Sequence, residues 1–438
     1  MPRMFLNLGA TICALLASVA AARAACPSPI TPAFTTVTHS VATVLGLKVD
    51  KYAWFDSRCL QRTVSLKQEG AGNPGHGGYA VQMTYQVTGG AGTTTVIVNK
   101  ETSSDGGFGY FVSHERYRTF TDNSSDTIAN KIFHVDDSPL GLDFPVVGAV
   151  LNPNGDAAAQ RYVTTYHHYG TITPDPVNAD GNDTHPLPLT PSSYANYPLP
   201  VTMTWVFQAQ TDAPRYDVDV NLTQVAKADR VGFDLRAPYG VMVFDNKLDG
   251  VVSKVQWGDR FLFATTAAPV TRDTGWTWNA RNAGRRFNAM IAGLYEMGLY
   301  EPVKFAQSAL DDTFSEERGS TSSAFNKGKG CAEGETQLLP CDWEWPYQGL
   351  QYSLPTNSLT TPTNFKKIAW GSTGFYGAGP GLTRVYDTSN SSEAFVGFPA
   401  SEHLKYSICI LLGLTTANGL TQTAAEAASP NCASTNFP

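Results

Sequence analysis

A two-residue alternation of apolar and polar side chains recurs along this 438-residue chain. Between residues 201 and 208 one face of an extended strand would carry four apolar side chains, those of Val201, Met203, Trp205 and Phe207. Residues 216–222 repeat the pattern, with Asp217 and Asp219 opposite the apolar positions. Because successive side chains of a strand point to opposite faces, this period is typical of half-buried β-strands.

Similar runs lie between residues 79 and 265, separated by Gly, Asn, Asp or Pro and without alternating amphipathic helices. This arrangement predicts the all-β class, an antiparallel β-sandwich of one unit or two packed units, disulfide-bonded and with few or no helices. One segment is ambiguous. Residues 286–298 have apolar side chains at helical spacing, yet residues 295–305 also alternate as a strand would.

The predicted organisation has four parts. Residues 1–24 form a signal peptide and residues 25–285 a large β-sandwich domain. Residues 286–330 contain the ambiguous segment and an exposed loop rich in Ser, Thr, Gly, Lys and Glu. Residues 331–438 form a C-terminal β portion packed on the sandwich, and we expect Cys432 to hold its Ala- and Thr-rich tail.

The first 24 residues have the features of a secretory signal, namely Arg3, an apolar run over residues 8–20 and the small-x-small motif Ala22-Arg23-Ala24. The run is shorter than the ~20 residues that cross a bilayer, and no later segment is longer, so we predict no membrane span. The sequence therefore predicts a secreted or periplasmic protein.

Removal of this signal changes 31 basic side chains to 29 and leaves all 38 acidic ones, a net charge of −9. Nucleic-acid binding depends on clustered Lys and Arg that neutralise phosphates. The longest basic runs here are pairs, such as Arg285-Arg286. We therefore expect no nucleic-acid partner.

Cysteine usage also indicates export. Seven cysteines become six once Cys13 leaves with the signal, and an even number in an exported chain predicts disulfides. Fifteen pairings are possible. Proximity in sequence favours three of them, Cys26–Cys59, Cys331–Cys341 and Cys409–Cys432. A structural zinc site is disfavoured because the chain has no Cys-x-x-Cys pair.

The strongest catalytic candidate is the motif Asp342-Trp343-Glu344-Trp345. In a strand, Asp342 and Glu344 share a face about 6.5–7 Å apart, close to the carboxylate separations of glycoside hydrolases. Repulsion between them would raise one pKa, so that one acid donates a proton. The two tryptophans would stack on sugar rings. The structural alternative is that they pack in the core, with the acids on the wet face of a strand.

A second candidate lies in residues 161–170. Alternation puts Tyr166 and His168 on one face, where they could abstract and return a proton in β-elimination beside a uronic carboxylate, with Arg161 neutralising that carboxylate. An ordinary aromatic strand with one structural histidine is the alternative.

Two further groups are weaker. Trp276 and Trp278 would share a strand face, as a carbohydrate platform or as core. An oxygen-rich loop with Asp180, Asn182 and Asp183 fits either calcium or an Asx-rich turn. We predict no other metal or cofactor.

Common signatures of other enzymes are absent from the sequence. It has no Gly-x-Ser-x-Gly, His-Glu-x-x-His, phosphate-binding loop or dinucleotide fingerprint. The leading hypothesis is a secreted glycoside hydrolase whose partner is a polysaccharide or oligosaccharide. The alternatives are a polysaccharide lyase and a non-catalytic glycan-binding or adhesion protein.

Overall fold

In the computed structural model we describe residues 26, 31–68, 78–90, 92–100, 107–113, 118–119, 129–130, 133–134, 149–151, 158–171, 194–221, 223, 231–245, 254–257, 261–264, 287–303, 342–344, 350–353, 365–376, 403–415 and 421–434. The predicted signal peptide, residues 1–24, lies outside them.

Strands make up most of the described chain. The first eleven are β1 (Thr38–Val44), β2 (Leu47–Phe55), β3 (Gln61–Lys67), β4 (Ala80–Gly89), β5 (Gly92–Lys100), β6 (Phe108–Ser113), β7 (Arg118–Thr119), β8 (Ala129–Asn130), β9 (Phe133–His134), β10 (Ala149–Leu151) and β11 (Ala159–Thr171). The next eleven are β12 (Tyr194–Gln208), β13 (Arg215–Asn221), β14 (Val231–Phe244), β15 (Lys254–Trp257), β16 (Phe261–Ala264), β17 (Phe287–Ala292), β18 (Tyr295–Tyr300), β19 (Asp342–Glu344), β20 (Leu350–Ser353), β21 (Phe365–Tyr376) and β22 (His403–Leu414). A 3-10 turn (Pro32–Thr35) precedes them, and helix α1 (Gln422–Ala428) follows.

The strands form two antiparallel sheets. The larger, with 12 strands, has the order β1-β2-β3-β4-β5-β14-β21-β20-β19, with β6, β7 and β8 paired beside this path. The smaller, with 10 strands, has the order β10-β11-β12-β13-β22-β18-β17-β15-β16, with β9 on β11. The predicted all-β sandwich is therefore confirmed.

Buried aromatic side chains join the two sheets. Tyr52 of β2 stacks on Phe207 of β12, with ring centroids 4.3 Å apart. Aromatic polar tips also donate hydrogen bonds across the interface, as Trp54 does to the Thr211 carbonyl at 2.9 Å and Tyr85 to the Ile410 carbonyl at 3.1 Å. The buried donors of Trp54 and Tyr85 are therefore satisfied at the interface, whereas the buried hydroxyl of Tyr52 contributes no hydrogen bond there.

The ambiguous segment is a hairpin of β17 and β18. Gly293, at φ +60°, and Leu294 form its two-residue turn, and all six residues of β17 are buried. One face of this hairpin packs in the sandwich and the other is covered by α1, where Phe287, Tyr300 and Ala427 share a cluster. Because β17 is buried on both faces, its apolar residues do not alternate with polar ones, and their spacing resembles that of a helix.

The C-terminal part of the chain contributes to both sheets. Strands β19, β20 and β21 end the larger sheet, while β22 lies between β13 and β18 in the smaller one. Strands from both sides of the predicted boundary at residue 331 therefore lie in the same sheets. The boundaries we gave for the domains stay predictions.

Two of the expected disulfides are present, Cys26–Cys59 and Cys409–Cys432. Cys331 and Cys341 lie outside the described residues. The tail is held by more than Cys432, because Arg215 Nη1 donates to the Ala433 carbonyl at 2.7 Å and the Asn431 carbonyl accepts from the Asp212 amide at 2.9 Å.

No described helix is long and apolar enough to cross a membrane.

Candidate functional site

The predicted carboxylate motif begins in an extended strand. Asp342, Trp343 and Glu344 form β19, which pairs antiparallel with β20 so that Asp342 is opposite Ser353 and Glu344 opposite Gln351. β19 ends the strand order of the larger sheet. The extended backbone on which the pairing of the two acids depends is therefore present, with Cα atoms two residues apart on a strand separated by about 6.5–7 Å. Trp345 lies outside the described residues.

The second predicted pair lies in the other sheet. Tyr166 and His168 belong to β11, where Tyr166 is opposite Val201 and His168 is opposite Tyr197, with a register shift between them. Val201 is fully buried between the sheets. Arg161, exposed near the start of β11, is opposite Val206. The structure thus divides the two candidate pairs between different sheets, and the role of each stays a prediction.

The remaining predicted groups lie outside the described residues. These are the tryptophans Trp276 and Trp278 and the oxygen-rich loop with Asp180, Asn182 and Asp183. Among the residues that are described, no group of three or more His, Cys, Asp or Glu side chains is arranged to hold a metal ion.

A polar cluster on the outer face of the smaller sheet was not predicted. His403 Nδ1 lies 2.7 Å from Asp219 Oδ1, and Lys405 Nζ lies 3.3 Å from Asp219 Oδ2. All three side chains are partly exposed, at the junction of β13 and β22. A carboxylate on Nδ1 fixes the orientation of the imidazole, the arrangement that general-base histidines use. The alternation of residues 216–222 placed Asp219 on this face, but its histidine partner comes from a residue 184 positions away along the chain.

The neighbouring ion pair on the same face is buried. Arg215 donates to Asp217 through Nε at 2.7 Å and through Nη2 at 2.9 Å. Ser407 Oγ donates to the same carboxylate at 2.7 Å. With both oxygens of Asp217 and the guanidinium partnered, this group holds β13 against β22 and the C-terminal tail.

Two carboxyl groups are buried where α1 crosses the smaller sheet. Glu426 of α1 contacts the carboxyl of Asp212, accepts from Tyr300 Oη at 3.4 Å and accepts from the Asn431 amide at 3.2 Å. Burial, then the charge of Asp212, raises the pKa of Glu426 to about 7. Burial also raises the pKa of Glu296 to about 7, against hydrogen bonds from Thr423 and Thr415 that lower it.

These acids hold secondary-structure elements together. The hydrogen-bond donors to Glu296 and Glu426 belong to β18 or to residues 415–431 of the same chain. Both acids lie where α1 packs on the sheet, and Glu296 is fully buried. Their shifted pKa values follow from their place in the packing, and such values occur in structural groups as well as in active sites.

The two antiparallel sheets and the two disulfides place the chain in the class of disulfide-bonded all-β sandwiches. No protein-family model matches the sequence, and no curated protein is significantly similar to it.

Proposed function

We propose that this chain is an exported glycoside hydrolase in which Asp342 and Glu344 act as the acid and the base or nucleophile. The observation that supports this proposal is the extended backbone of β19 at the end of the larger sheet. An extended strand keeps two acids that are two residues apart at a separation suited to glycosidic bond cleavage. A polymer can bind along the margin of a sheet without a deep pocket.

The compartment is part of the same proposal. Two disulfides join Cys26 to Cys59 and Cys409 to Cys432. Disulfides form and persist in oxidising compartments such as the extracellular space, where a secreted glycoside hydrolase acts. The signal features of residues 1–24 support export in the same way.

The net charge favours a neutral glycan as the substrate. After removal of the signal the chain carries 38 acidic and 29 basic side chains, so an anionic polymer would be repelled at long range. We therefore expect neutral polysaccharides to be cleaved faster than uronic ones at low ionic strength, with the difference decreasing as salt screens the charges.

The test is a polysaccharide screen with the mature protein. We expect reducing ends to appear with at least one neutral polymer, and Asp342→Asn and Glu344→Gln each to lower kcat by about 10²–10⁴-fold while leaving the fold intact. Trp343→Phe is the matched control on the same strand, since it changes no acid and keeps an aromatic ring. It should affect KM more than kcat.

Other outcomes would replace the proposal. An ultraviolet-absorbing unsaturated product, lost in Tyr166→Phe or His168→Ala, would identify a lyase. Retention on an immobilised glycan that is equal in wild type, Asp342→Asn and Glu344→Gln, without any product, would identify a binding protein.

A further inference from the structure

The first strand of the larger sheet has an exposed edge. β1 is at one end of the strand order, and β2 is the only described strand that pairs with it. Five of its seven residues are exposed, and Val41 has 63% of its surface accessible. Its pairing with β2 runs over all seven residues without a register shift. A regular edge of this kind presents a row of backbone donors and acceptors.

The sequence of β1 lacks the features by which natural proteins prevent an edge strand from pairing with another chain. Soluble proteins protect edge strands with Lys or other charges, with Pro, with bulges or with very short strands. The sequence Thr-His-Ser-Val-Ala-Thr-Val has no Lys, Arg, Asp, Glu or Pro. Its one titratable residue, His39, is bound to Asp50 of β2, with Nε2 and Oδ1 2.7 Å apart.

The other ends of the two described sheets differ. β19 has three residues, two of them acidic, while β10 has three residues and β16 four. Short or charged edges resist pairing with a second chain. Of these four ends, β1 alone is both long and uncharged.

We propose that β1 pairs antiparallel with β1 of a second copy of this chain, across a two-fold axis at Val41. This register places Val41 opposite Val41, Ser40 opposite Ala42 and His39 opposite Thr43. No charged residues are brought opposite one another, and the two larger sheets become one continuous sheet. Such an isologous pairing closes the edge in both copies and ends at a dimer.

The turn after β1 fits the same interface. Leu45 is half exposed and has φ +50°, the left-handed region that disfavours a bulky apolar residue. In the register about Val41, position 45 of one copy lies opposite position 37 of the second copy. The dimer thus places this exposed turn beside the start of the other β1.

Sedimentation of the mature protein over a range of concentrations tests the proposal. We expect the wild type to form a reversible dimer. Val41→Lys should weaken it by about tenfold or more, because two like charges then meet directly opposite each other. The control is Leu294→Lys, which places the same charge at a residue with 62% exposure in the β17–β18 turn and should leave the dimer unchanged.

A mixing experiment tests the register. Val41→Lys and Val41→Glu should each dimerise more weakly than the wild type, and an equal mixture should dimerise more strongly than either variant alone, since opposite charges then meet at the axis. Circular dichroism serves to check that each variant is folded. The proposal is overturned by a wild type that stays monomeric at about 100 μM, by a dimer that Val41→Lys does not weaken, or by a mixture that dimerises no more strongly than either variant alone.

Discussion

Glu296 of β18 lies beneath the first turn of α1 and accepts two hydrogen bonds from Thr423, from the backbone amide and from Oγ1, each at 2.7 Å. Thr415 Oγ1 donates to its other oxygen at 2.8 Å. The close approach depends on Gly298, two residues further along β18, where a Cβ would overlap the Thr423 side chain. A buried acid is thus satisfied by neutral donors, without a basic partner in these contacts.

The Glu296→Gln variant should remove part of the pH dependence of stability. Burial raises the pKa of Glu296 to about 7 in the folded protein, against 4.5 as its ordinary value. The folded state therefore holds the proton more tightly, and its stability falls as the pH rises from about 4.5 to about 7. A glutamine stays neutral and can keep the contacts with Thr423 and Thr415.

We expect equal stability of wild type and Glu296→Gln at pH 4.5, and a variant about 2–3 kcal/mol more stable at pH 8. Urea denaturation at both pH values measures this difference. Glu426 titrates in the same direction and in the same window, so a smaller decline should persist in the variant. A variant that is less stable than wild type at pH 8 would show instead that the ionised carboxylate stabilises the fold.

A second prediction concerns the fully buried pair of Asp56 and Arg62, whose Oδ2 and Nη2 atoms are 2.6 Å apart. Asp56 also accepts from the amides of Arg58 and Leu60 and from the Arg58 side chain. Asp56→Ala leaves the Arg62 guanidinium buried without this partner and should cost about 3–5 kcal/mol.

Arg62→Met is the informative comparison, because Asp56 then keeps Arg58 and two backbone donors. We expect it to cost less, about 1–3 kcal/mol. Denaturant unfolding of both variants gives the order directly. If Arg62→Met were the more destabilising, the contacts of Arg62 with the Tyr85 ring and the Leu412 carbonyl would outweigh its ion pair.

Alternation in the sequence predicted the half-buried strands and left the hairpin of β17 and β18 ambiguous between helix and strand. Residues 201–208 and 216–222 alternate because one face of β12 and β13 lies in the core and the other is polar. β17 is buried on both faces because α1 covers its outer side. The sequence of residues 287–292 contains no signal that this seven-residue helix, from a distant part of the chain, packs on it. The conformation of this segment therefore depends on packing against a distant helix, and not on local propensity.

The polar contacts between β13 and β22 could not be predicted from the sequence for the same reason. The sequence indicated that Asp217 and Asp219 share a polar face, but not that Ser407 and His403 would meet them from β22, 190 and 184 residues away. Contacts between distant segments leave no spacing signal. The proximity argument for Cys26–Cys59 and Cys409–Cys432 was confirmed because both pairs close short loops of 33 and 23 residues.

Those two disulfides give a third prediction. In the chain-entropy model, closing loops of 23 and 33 residues contributes about 3 and 4 kcal/mol. Replacing Cys409 and Cys432 together by alanine should lower the free energy of unfolding by about 3 kcal/mol. The double alanine variant of Cys26 and Cys59 serves as the comparison and should lose slightly more. Equal stability of wild type and both variants in urea would contradict the model.

The turn between β1 and β2 gives the last prediction. Leu45 and Gly46 have φ of +50° and +78°, and Val44 is opposite Leu47, which defines a two-residue turn of the type that favours Asn-Gly. Leu45→Asn should stabilise the chain by about 0.5–1 kcal/mol, because asparagine tolerates this conformation better than leucine. The control is Leu294→Asn, at a comparably exposed turn position that does not have positive φ. Thermal unfolding in dilute solution should show a higher Tm for Leu45→Asn alone, and an equal gain from both substitutions would mean that lower surface hydrophobicity, and not backbone conformation, is responsible.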